Sequence, residues 1–399
     1  MKKSHMTFPE NDPFIRYAMD VEARMYRPDF WLDNYADADQ IRLTDDEICS
    51  LNRSILKIGH PAAEDIWSDQ WKTSNISYGI CVRRTALRRS PSEKIVPDEH
   101  QDPYFDQNQL TAVRINTPLL ITEQTSDGHW AYVILYDYRG WIKTDDIAVC
   151  RSREEWTEAQ NMEQFLVVTA PKFTVDISGE LLTMGSRLKL LTTGETADFP
   201  DYCVPWGCYR VLIPVRKDDG SYGTQIAVVP ADSRVHRGFL PCTLRNQFEL
   251  MFQFLGACYG WGGMYDSVDC SGLIQEVFAC FGLMLPRDVD EQMRIPAQTN
   301  VFPLSMPANK RKAALTCLQP GSFLAFPGHI ATYLGYHNGN YYTLSATGSM
   351  MGNNTEKSCD GIRRVRRVII NTLNEKNRSG ISWLMAMTSA LELKKLTII

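Results

Sequence analysis

Residues 259–273 read YGWGGMYDSVDCSGL, a glycine-rich run followed by an acid, a cysteine and a serine. From Asp269 onward the spacing predicts an amphipathic helix that stops at Gly282. Its apolar side is formed by Leu273, Ile274, Val277, Phe278 and Phe281. Cys270 therefore stands in the first turn of a helix, where free amides and the helix dipole lower a thiol pKa. This predicts a nucleophilic cysteine; the alternative is an inert buried thiol in a chain with eleven cysteines.

A nucleophilic thiolate needs a base, and the chain has only seven histidines. His329 follows a Pro-Gly pair and begins the strand HIATYL, whereas the other six lie in tail, loop, turn or hairpin sequence. A cysteine at a helix start with a histidine on a later strand is the papain-like arrangement. The alternative interpretation is a histidine that merely caps a strand.

Composition limits the classes of partner. The formal net charge is −5 and there is no long basic run, so a nucleic acid held through its phosphates is not expected. The nearest basic cluster, GIRRVRRVII at 361–370, alternates arginines with apolar residues and predicts a solvated strand face. No run of about 18 apolar residues is present, so no membrane-spanning segment is expected.

The eleven cysteines are scattered, with no CxxC pair and no Cys/His cluster at zinc spacing. We therefore expect no metal, and a reducing compartment fits this cysteine usage. The first residues, MKKSHMTFPENDPF, have no apolar core behind their lysines, so a cytoplasmic location is expected. A leader removed earlier would instead indicate a periplasmic or secreted protein.

The 399 residues are expected to form a multidomain α+β protein. Residues 1–75 have helical spacing. Residues 76–150 and 151–240 alternate like short strands joined by Asp-Gly and Arg-Gly turns, which predicts two small SH3-like β-barrels. Residues 241–399 mix helices and strands, and a last helix is predicted in SWLMAMTSALELKKL at 382–396.

Four motifs in the C-terminal part resemble those of the NlpC/P60 cysteine peptidases: YGWGGMYDSVDCSG, LPRDVDEQ, LQPGSFLAF and GHIATYLG. Upstream, RRTALRRSP, FDQNQLTAVRINTPLLI, DGHWAYV and RGWI resemble a bacterial SH3 (SH3b) domain. One branch of the family combines a helical N-terminal segment, two SH3b domains and a papain-like NlpC/P60 domain. The resemblance implies this architecture for the present chain.

The resemblance also implies hydrolysis of the bond between D-γ-glutamate and a diamino acid in peptidoglycan stem peptides with a free N-terminal L-alanine. No cofactor is expected. The expected partners are muropeptides, the expected oligomeric state is monomeric, and the expected role is peptide recycling in the cytoplasm.

Carried over by position, the resemblance makes Cys270 the nucleophile and His329 its base, with Ser345 in the third catalytic position. Asp269 would pair with the substrate ammonium, and Tyr138 of the first SH3b domain would close that pocket. The other expected substrate-binding residues are Ser271, Tyr259, Trp261, Arg287 and Asp288.

Two positions depart from the family pattern. Ser345 stands where relatives have histidine, with Thr343 as the nearby substitute, and Val289 stands where the branch has serine. Ser345 therefore predicts weakened activity, and the missing hydroxyl at Val289 predicts a shift in specificity. Two alternatives follow: a catalytically impaired protein that binds cell-wall peptides, or a thiol amidase or acyltransferase for another substrate.

Overall fold

A computed structural model describes residues 21–58, 76–175, 179–191, 205–351 and 361–393. The predictions for residues 1–20 and 59–75 lie outside these ranges. The N-terminal segment has a 3-10 turn (Ala23–Tyr26), α1 (Pro28–Leu32), β1 (Ile41–Leu43) and α2 (Asp45–Ile58). Helix α2 begins with a capping box, because the Thr44 N–H donates to Glu47 Oε2 at 2.8 Å and the Glu47 N–H donates to Thr44 Oγ1 at 3.4 Å.

Seven antiparallel strands follow and form what we call the first β-domain. They are β2 (Ser77–Cys81), β3 (Thr85–Arg88), β4 (Gln109–Val113), β5 (Pro118–Gln124), β6 (Trp130–Ile134), β7 (Arg139–Lys143) and β8 (Ile147–Val149). Their order in the sheet is β4-β3-β7-β6-β5-β2-β8. Burial alternates along β4, so every second side chain enters the core.

Helix α3 (Arg153–Gln160), capped by Ser152, leads to the second β-domain. Its strands are β9 (Phe165–Val168), β10 (Lys172–Thr174), β11 (Leu181–Thr183), β12 (Arg187–Leu190), β13 (Cys208–Arg216), β14 (Tyr222–Pro230) and β15 (Val235–Arg237). Five of them pair in the order β14-β13-β12-β9-β15, and β10 pairs with β11.

The remaining elements form the C-terminal domain. Its helices are α4 (Leu244–Phe252), α5 (Cys270–Ala279), α6 (Val289–Gln292), α7 (Ala308–Cys317) and α8 (Trp383–Ala386). Its strands are β16 (Cys242–Thr243), β17 (Gln298–Val301), β18 (Phe323–Phe326), β19 (His329–His337), β20 (Asn340–Thr347), β21 (Met350–Met351), β22 (Ile362–Arg363), β23 (Arg367–Thr372) and β24 (Ser389–Glu392). The main sheet is antiparallel, in the order β17-β24-β18-β19-β20-β23. The expected multidomain α+β class with a papain-like C-terminal domain is confirmed.

The prediction of a long C-terminal helix at 382–396 is wrong. Helix α8 ends at Ala386, and Ser389–Glu392 form a strand between β17 and β18. Ladder hydrogen bonds on both sides of β24 outweigh the local helix propensity of its Ala-Leu-Glu sequence. Residues 394–399 are not among those described.

The predicted solvated arginine strand at 361–370 is also wrong. Arg363 is buried, and Arg366 has φ +49°, which interrupts the chain between β22 and β23. The Arg366 guanidinium donates to Asp102 at 2.7 Å and lies 3.9 Å from the centre of the Tyr104 ring. Partners from the first β-domain therefore replace solvent around this arginine.

The N-terminal segment and the C-terminal domain share one hydrophobic core. Strand β1 pairs with β16, and the rings of Trp31 and Tyr342 lie 5.2 Å apart. In the same core, α5 packs through Leu273 and Ile274 with Ile330 of β19. This packing brings the first turn of α5 to the start of β19. In the described part of the chain, every helix is too short or too polar to cross a membrane.

Candidate active site

The nucleophile candidate lies at the first position of α5. Asp269 caps the helix, and its carboxylate accepts hydrogen bonds from the N–H groups of Gly272 (2.9 Å) and Gly262 (2.8 Å). The Cys270 side chain is buried, and the backbone N–H of Ile330 lies near enough to Sγ to favour the thiolate. The thiol therefore lies close to the residue that follows His329 on β19.

The thiol pKa differs from the expectation drawn from the helix start. Burial raises the pKa of Cys270 to about 12, and the adjacent Asp269 carboxylate acts in the same direction. The predicted lowering of this pKa is wrong, because loss of solvent outweighs the helix amides and dipole. Burial likewise lowers the pKa of His329 to about 4. Both side chains are accordingly neutral at pH 7, and no hydrogen bond joins these two described residues.

His329 and Ser345 are brought together on neighbouring strands. His329 Nε2 lies 3.2 Å from Ser345 Oγ, which in turn lies 3.0 Å from Thr347 Oγ1. Thr343, the expected substitute, lies instead 3.3 Å from Asn371 Oδ1. The Trp383 ring packs edge-to-face on the imidazole at 4.9 Å. The histidine is therefore oriented by two hydroxyl groups in series and is shielded by an indole.

Asp269 and Arg287 form a buried ion pair. Arg287 Nη2 lies 2.5 Å from Asp269 Oδ2, Nη1 donates to Ser271 Oγ at 2.8 Å, and Nε donates to Thr111 Oγ1 at 2.7 Å. Burial opposes ionisation of Asp269, but the Arg287 charge, the hydrogen bond from Arg287 and those from the N–H groups of Gly272 and Gly262 hold its pKa below the usual value. The carboxylate expected to meet a substrate ammonium is thus neutralised by an arginine in this structure.

The first β-domain forms one wall of the site. Besides Thr111, its Gln109 donates to the carbonyl of Gly262 at 2.7 Å. Tyr138 reaches Asp288 Oδ2 with its hydroxyl at 3.3 Å. Tyr138 and Asp288 line a pocket of about 300 Å³ together with Arg89, Leu110, Tyr132, Asp137, Arg139, Gly140 and Glu291. Tyr138, which the sequence predicted to close the ammonium pocket, thus contacts the C-terminal domain through Asp288. The contacts of Thr111 and Gln109 were not predicted.

Aromatic residues form a second wall. Burial, followed by the nearby Cys270 and Asp269, raises the pKa of Tyr259 well above its usual value. The Phe105 ring of the first β-domain lies 5.5 Å from the rings of both Tyr259 and Trp261. These contacts hold the glycine-rich stretch against the first β-domain.

Four residues at the site were missed from the sequence: Gln109, Thr111, Thr347 and Trp383. Thr347 had a usable signal, because alternate residues of a strand share a face and Thr347 is two positions from Ser345. Gln109, Thr111 and Trp383 come from distant segments, and no sequence signal linked them to the site. Val289 begins α6, next to Asp288, and supplies no hydroxyl there. Within the described ranges, no three His, Cys, Asp or Glu side chains are grouped to hold a metal.

Two family models match the chain. The NlpC/P60 family model matches residues 256–364, and the model of an SH3 domain of the SH3b1 type matches residues 97–143. Dipeptidyl-peptidase 6 of Lysinibacillus sphaericus is 30% identical over 109 residues, which are 27% of this chain and 33% of that protein. The chain thus spans about a third of the length of this relative. The SH3b assignment of residues 151–240 stays a prediction.

Two solved structures share the fold. An NlpC/P60 endopeptidase from Photobacterium damselae subsp. piscicida superposes with a TM-score of 0.65 and 19% identity, covering 98% of this chain and 95% of that one. An NlpC/P60 family protein from Bacillus cereus ATCC 10987 has a TM-score of 0.54 and 17% identity, covering 80% of this chain and all of that one. At these identities the likeness concerns the fold.

Proposed function

Residues 256–364 match the NlpC/P60 family model, and on that premise we propose that the protein is a cysteine peptidase of peptidoglycan stem peptides. The bond that it cleaves joins D-γ-glutamate to a diamino acid. One observation carries the proposal: Cys270 starts α5 and shares a buried cluster with Ile330, the residue after a histidine that is held by Ser345. This combination supplies a nucleophile, a base and a group that orients the base.

In the proposed reaction, His329 Nδ1 takes the thiol proton as Cys270 Sγ attacks the γ-glutamyl carbonyl carbon. The tetrahedral intermediate collapses when the same imidazole protonates the leaving amine, which leaves a thioester. Water, deprotonated by His329, then releases the γ-glutamyl acid and restores the thiol. Nδ1 is assigned this role because Nε2 is occupied by Ser345 Oγ at 3.2 Å.

Ser345 Oγ then accepts a hydrogen bond from Nε2–H, and its own O–H donates to Thr347 Oγ1, 3.0 Å away. This assignment leaves Nδ1 unprotonated and ready to act as a base. A hydroxyl carries no charge, so it orients the ring without the electrostatic support of a carboxylate. We therefore propose an active enzyme with a modest turnover rate.

The acyl side of the substrate is proposed to lie toward Asp269, Ser271, Arg287 and Asp288. Burial raises the pKa of Asp288, and the Tyr138 hydroxyl contacts this carboxylate at 3.3 Å. Asp269 already has Arg287 as its charge partner, so a free L-alanine ammonium entering here is proposed to pair with the Asp288 carboxylate, which is largely removed from solvent. The nine cysteines of the described ranges are all free, which supports the proposed cytoplasmic location.

Mass spectrometry of L-Ala-γ-D-Glu-meso-diaminopimelate incubated with the protein tests this function. Release of L-Ala-γ-D-Glu is expected from the parent protein and not from Cys270→Ala. An N-acetylated peptide, which lacks the ammonium, should be cleaved much more slowly. Equal cleavage by Cys270→Ala would exclude the nucleophile assigned here.

A second candidate is a peptide-binding protein without turnover. The raised pKa of Cys270 and the lowered pKa of His329 favour it, because both oppose a thiolate–imidazolium pair. Calorimetric binding of the tripeptide with no cleavage after long incubation would establish this candidate over the peptidase.

A further inference from the structure

Arg84, which lies between β2 and β3 of the first β-domain, is buried against the C-terminal domain. Its side chain is 5% exposed. Nη2 donates to the carbonyls of Gly263 (3.1 Å) and Ser267 (3.2 Å). Nη1 lies 3.5 Å from Glu276 Oε1 on α5. A single guanidinium therefore ties the segment that precedes α5 to the helix itself, and the roles proposed above do not involve it.

The segment that receives these hydrogen bonds, residues 260–267, has an unusual backbone. Tyr265 and Asp266 in this segment have φ +60° and +49°. Left-handed backbone is unfavourable for a residue with a Cβ atom, so it persists only where the surrounding contacts hold it. Arg84 donates to one carbonyl before Tyr265 and to one after Asp266. It thereby supplies contacts of this kind on both sides of the two residues.

The segment contacts the helix of the nucleophile through Asp269. The Gly262 N–H donates to Asp269 Oδ2 at 2.8 Å, and Oδ1 of the same carboxylate caps α5 by accepting the Gly272 N–H at 2.9 Å. Gln109, also of the first β-domain, donates to the Gly262 carbonyl at 2.7 Å. A displacement of segment 260–267 would thus move a group that fixes Asp269, the residue directly before the nucleophile.

Arg84 also compensates a buried charge on α5. Burial raises the pKa of the Glu276 carboxyl, and Arg84 is the largest of the charges that oppose this rise. Loss of Arg84 therefore has two separable effects. It removes two hydrogen bonds from segment 260–267, and it leaves Glu276 without its ion-pair partner. Neutralising Glu276 corrects only the second effect.

We propose that Arg84 is a positioning residue for the hydrolysis; the inference rests on the proposed peptidase function. Arg84 holds segment 260–267 so that Asp269 and the first turn of α5 present Cys270 to the substrate. The active site is then incomplete without the first β-domain. Lysine cannot take this role, because its ammonium is one point of charge and cannot occupy the positions of Nη1 and Nη2 together.

Three changes test the role: Arg84→Met, Arg84→Lys, and Arg84→Met combined with Glu276→Gln. The control is Arg83→Met at the adjacent arginine, whose side chain is 50% exposed and lies 3.6 Å from Asp146. Each protein is measured for kcat and KM with L-Ala-γ-D-Glu-meso-diaminopimelate and for its free energy of unfolding in urea. The rate at which iodoacetamide alkylates Cys270, followed by peptide mass spectrometry, is a third measurement that requires no turnover.

Arg84→Met is expected to lower kcat about 30- to 100-fold and to change KM less than about threefold, as for a displacement of about 1 Å at the reacting atoms. Adding Glu276→Gln should recover stability but not kcat, because the two carbonyls still lack their donor. The Cys270 thiol, 6% exposed in the parent protein, should be alkylated at least about threefold faster in this double variant. Arg84→Lys should lower kcat about tenfold, and Arg83→Met should leave it unchanged.

Recovery of kcat together with stability in the double variant would show that Arg84 serves the ion pair alone, and would overturn the proposal. If Arg84→Met does not fold, Arg84→Lys decides, because a kcat equal to that of the parent overturns the need for a guanidinium. If the parent cleaves no peptide, the peptidase function fails and alkylation alone judges Arg84. A parent-like alkylation rate in the double variant would then overturn its positioning role, and a faster rate would support it.

Discussion

Replacement of Arg287 by methionine tests whether the buried ion pair at the site is structural as well as functional. The side chains of Arg287 and Asp269 are only 5% and 8% exposed. The change removes the guanidinium and leaves the Asp269 carboxylate without its charge partner. It also deletes hydrogen bonds to Thr111 and Ser271, so the joint between α5 and the first β-domain is weakened.

The magnitude follows from burial. Removing one partner of a buried ion pair costs about 3–5 kcal/mol, because the remaining charge is desolvated and unpaired. Arg287→Met is therefore expected to lower the free energy of unfolding by about 4 kcal/mol at pH 7. Asp269→Asn added to Arg287→Met removes the stranded charge and should recover about half of that loss.

Urea unfolding followed by tryptophan fluorescence measures these differences. The control is Arg24→Met, which breaks a pair with Glu22 whose side chains are 57% and 49% exposed, and it should cost less than about 1 kcal/mol. Without Arg287, burial is opposed only by the N–H groups of Gly272 and Gly262, and the pKa of Asp269 rises. The deficit of Arg287→Met should then shrink as the pH falls from 7 toward 4. A loss below about 1 kcal/mol, or one independent of pH, would refute this reasoning.

Two further predictions concern the histidine. Ser345→Ala should lower kcat about 5- to 10-fold with little change in KM, because it removes the hydrogen bond on His329 Nε2. Thr347→Val should lower kcat by a smaller factor. Steady-state kinetics that show the larger decrease for Thr347→Val would contradict the series of hydroxyl hydrogen bonds. Burial lowers the pKa of His329 from 6.5 to about 4, so the unfolded chain binds the extra proton and stability falls as the pH drops through that interval. Between pH 7 and 5 the free energy of unfolding should fall by about 2 kcal/mol for this reason. Urea unfolding of His329→Gln should lack this pH-dependent loss. An equal loss in both proteins would show that His329 does not titrate in this way.

Local patterns explain which parts of the site could be predicted. The helix at Cys270 and the strand at His329 follow from apolar periodicity and turn residues over short windows. The contact of Arg287 with Thr111 could not be inferred, because the two residues lie 176 positions apart. The ion pair of Asp269 with Arg287 could not be inferred either, because no local pattern links the start of α5 to the loop before α6. Only the tertiary fold brings such residues together.

The same limit accounts for the errors. Ser389–Glu392 has a helix-forming composition, but its position between two strands decides its conformation. At Cys270 the helix start is visible in the sequence, whereas burial of the thiol depends on tertiary packing. The sign of the pKa shift was therefore decided by packing that local patterns do not show.

The shared core of the N-terminal segment and the C-terminal domain also affects how the chain folds during translation. Tyr35 donates its hydroxyl to the carbonyl of Leu334, which is made 299 residues later. At about 5–20 residues per second, the ribosome takes about 15–60 s to supply that partner. Trp31 and its apolar neighbours must wait through this interval, while both β-domains can already fold. This segment is thus synthesised well before its native contacts become available, and it needs protection from aggregation in the interval.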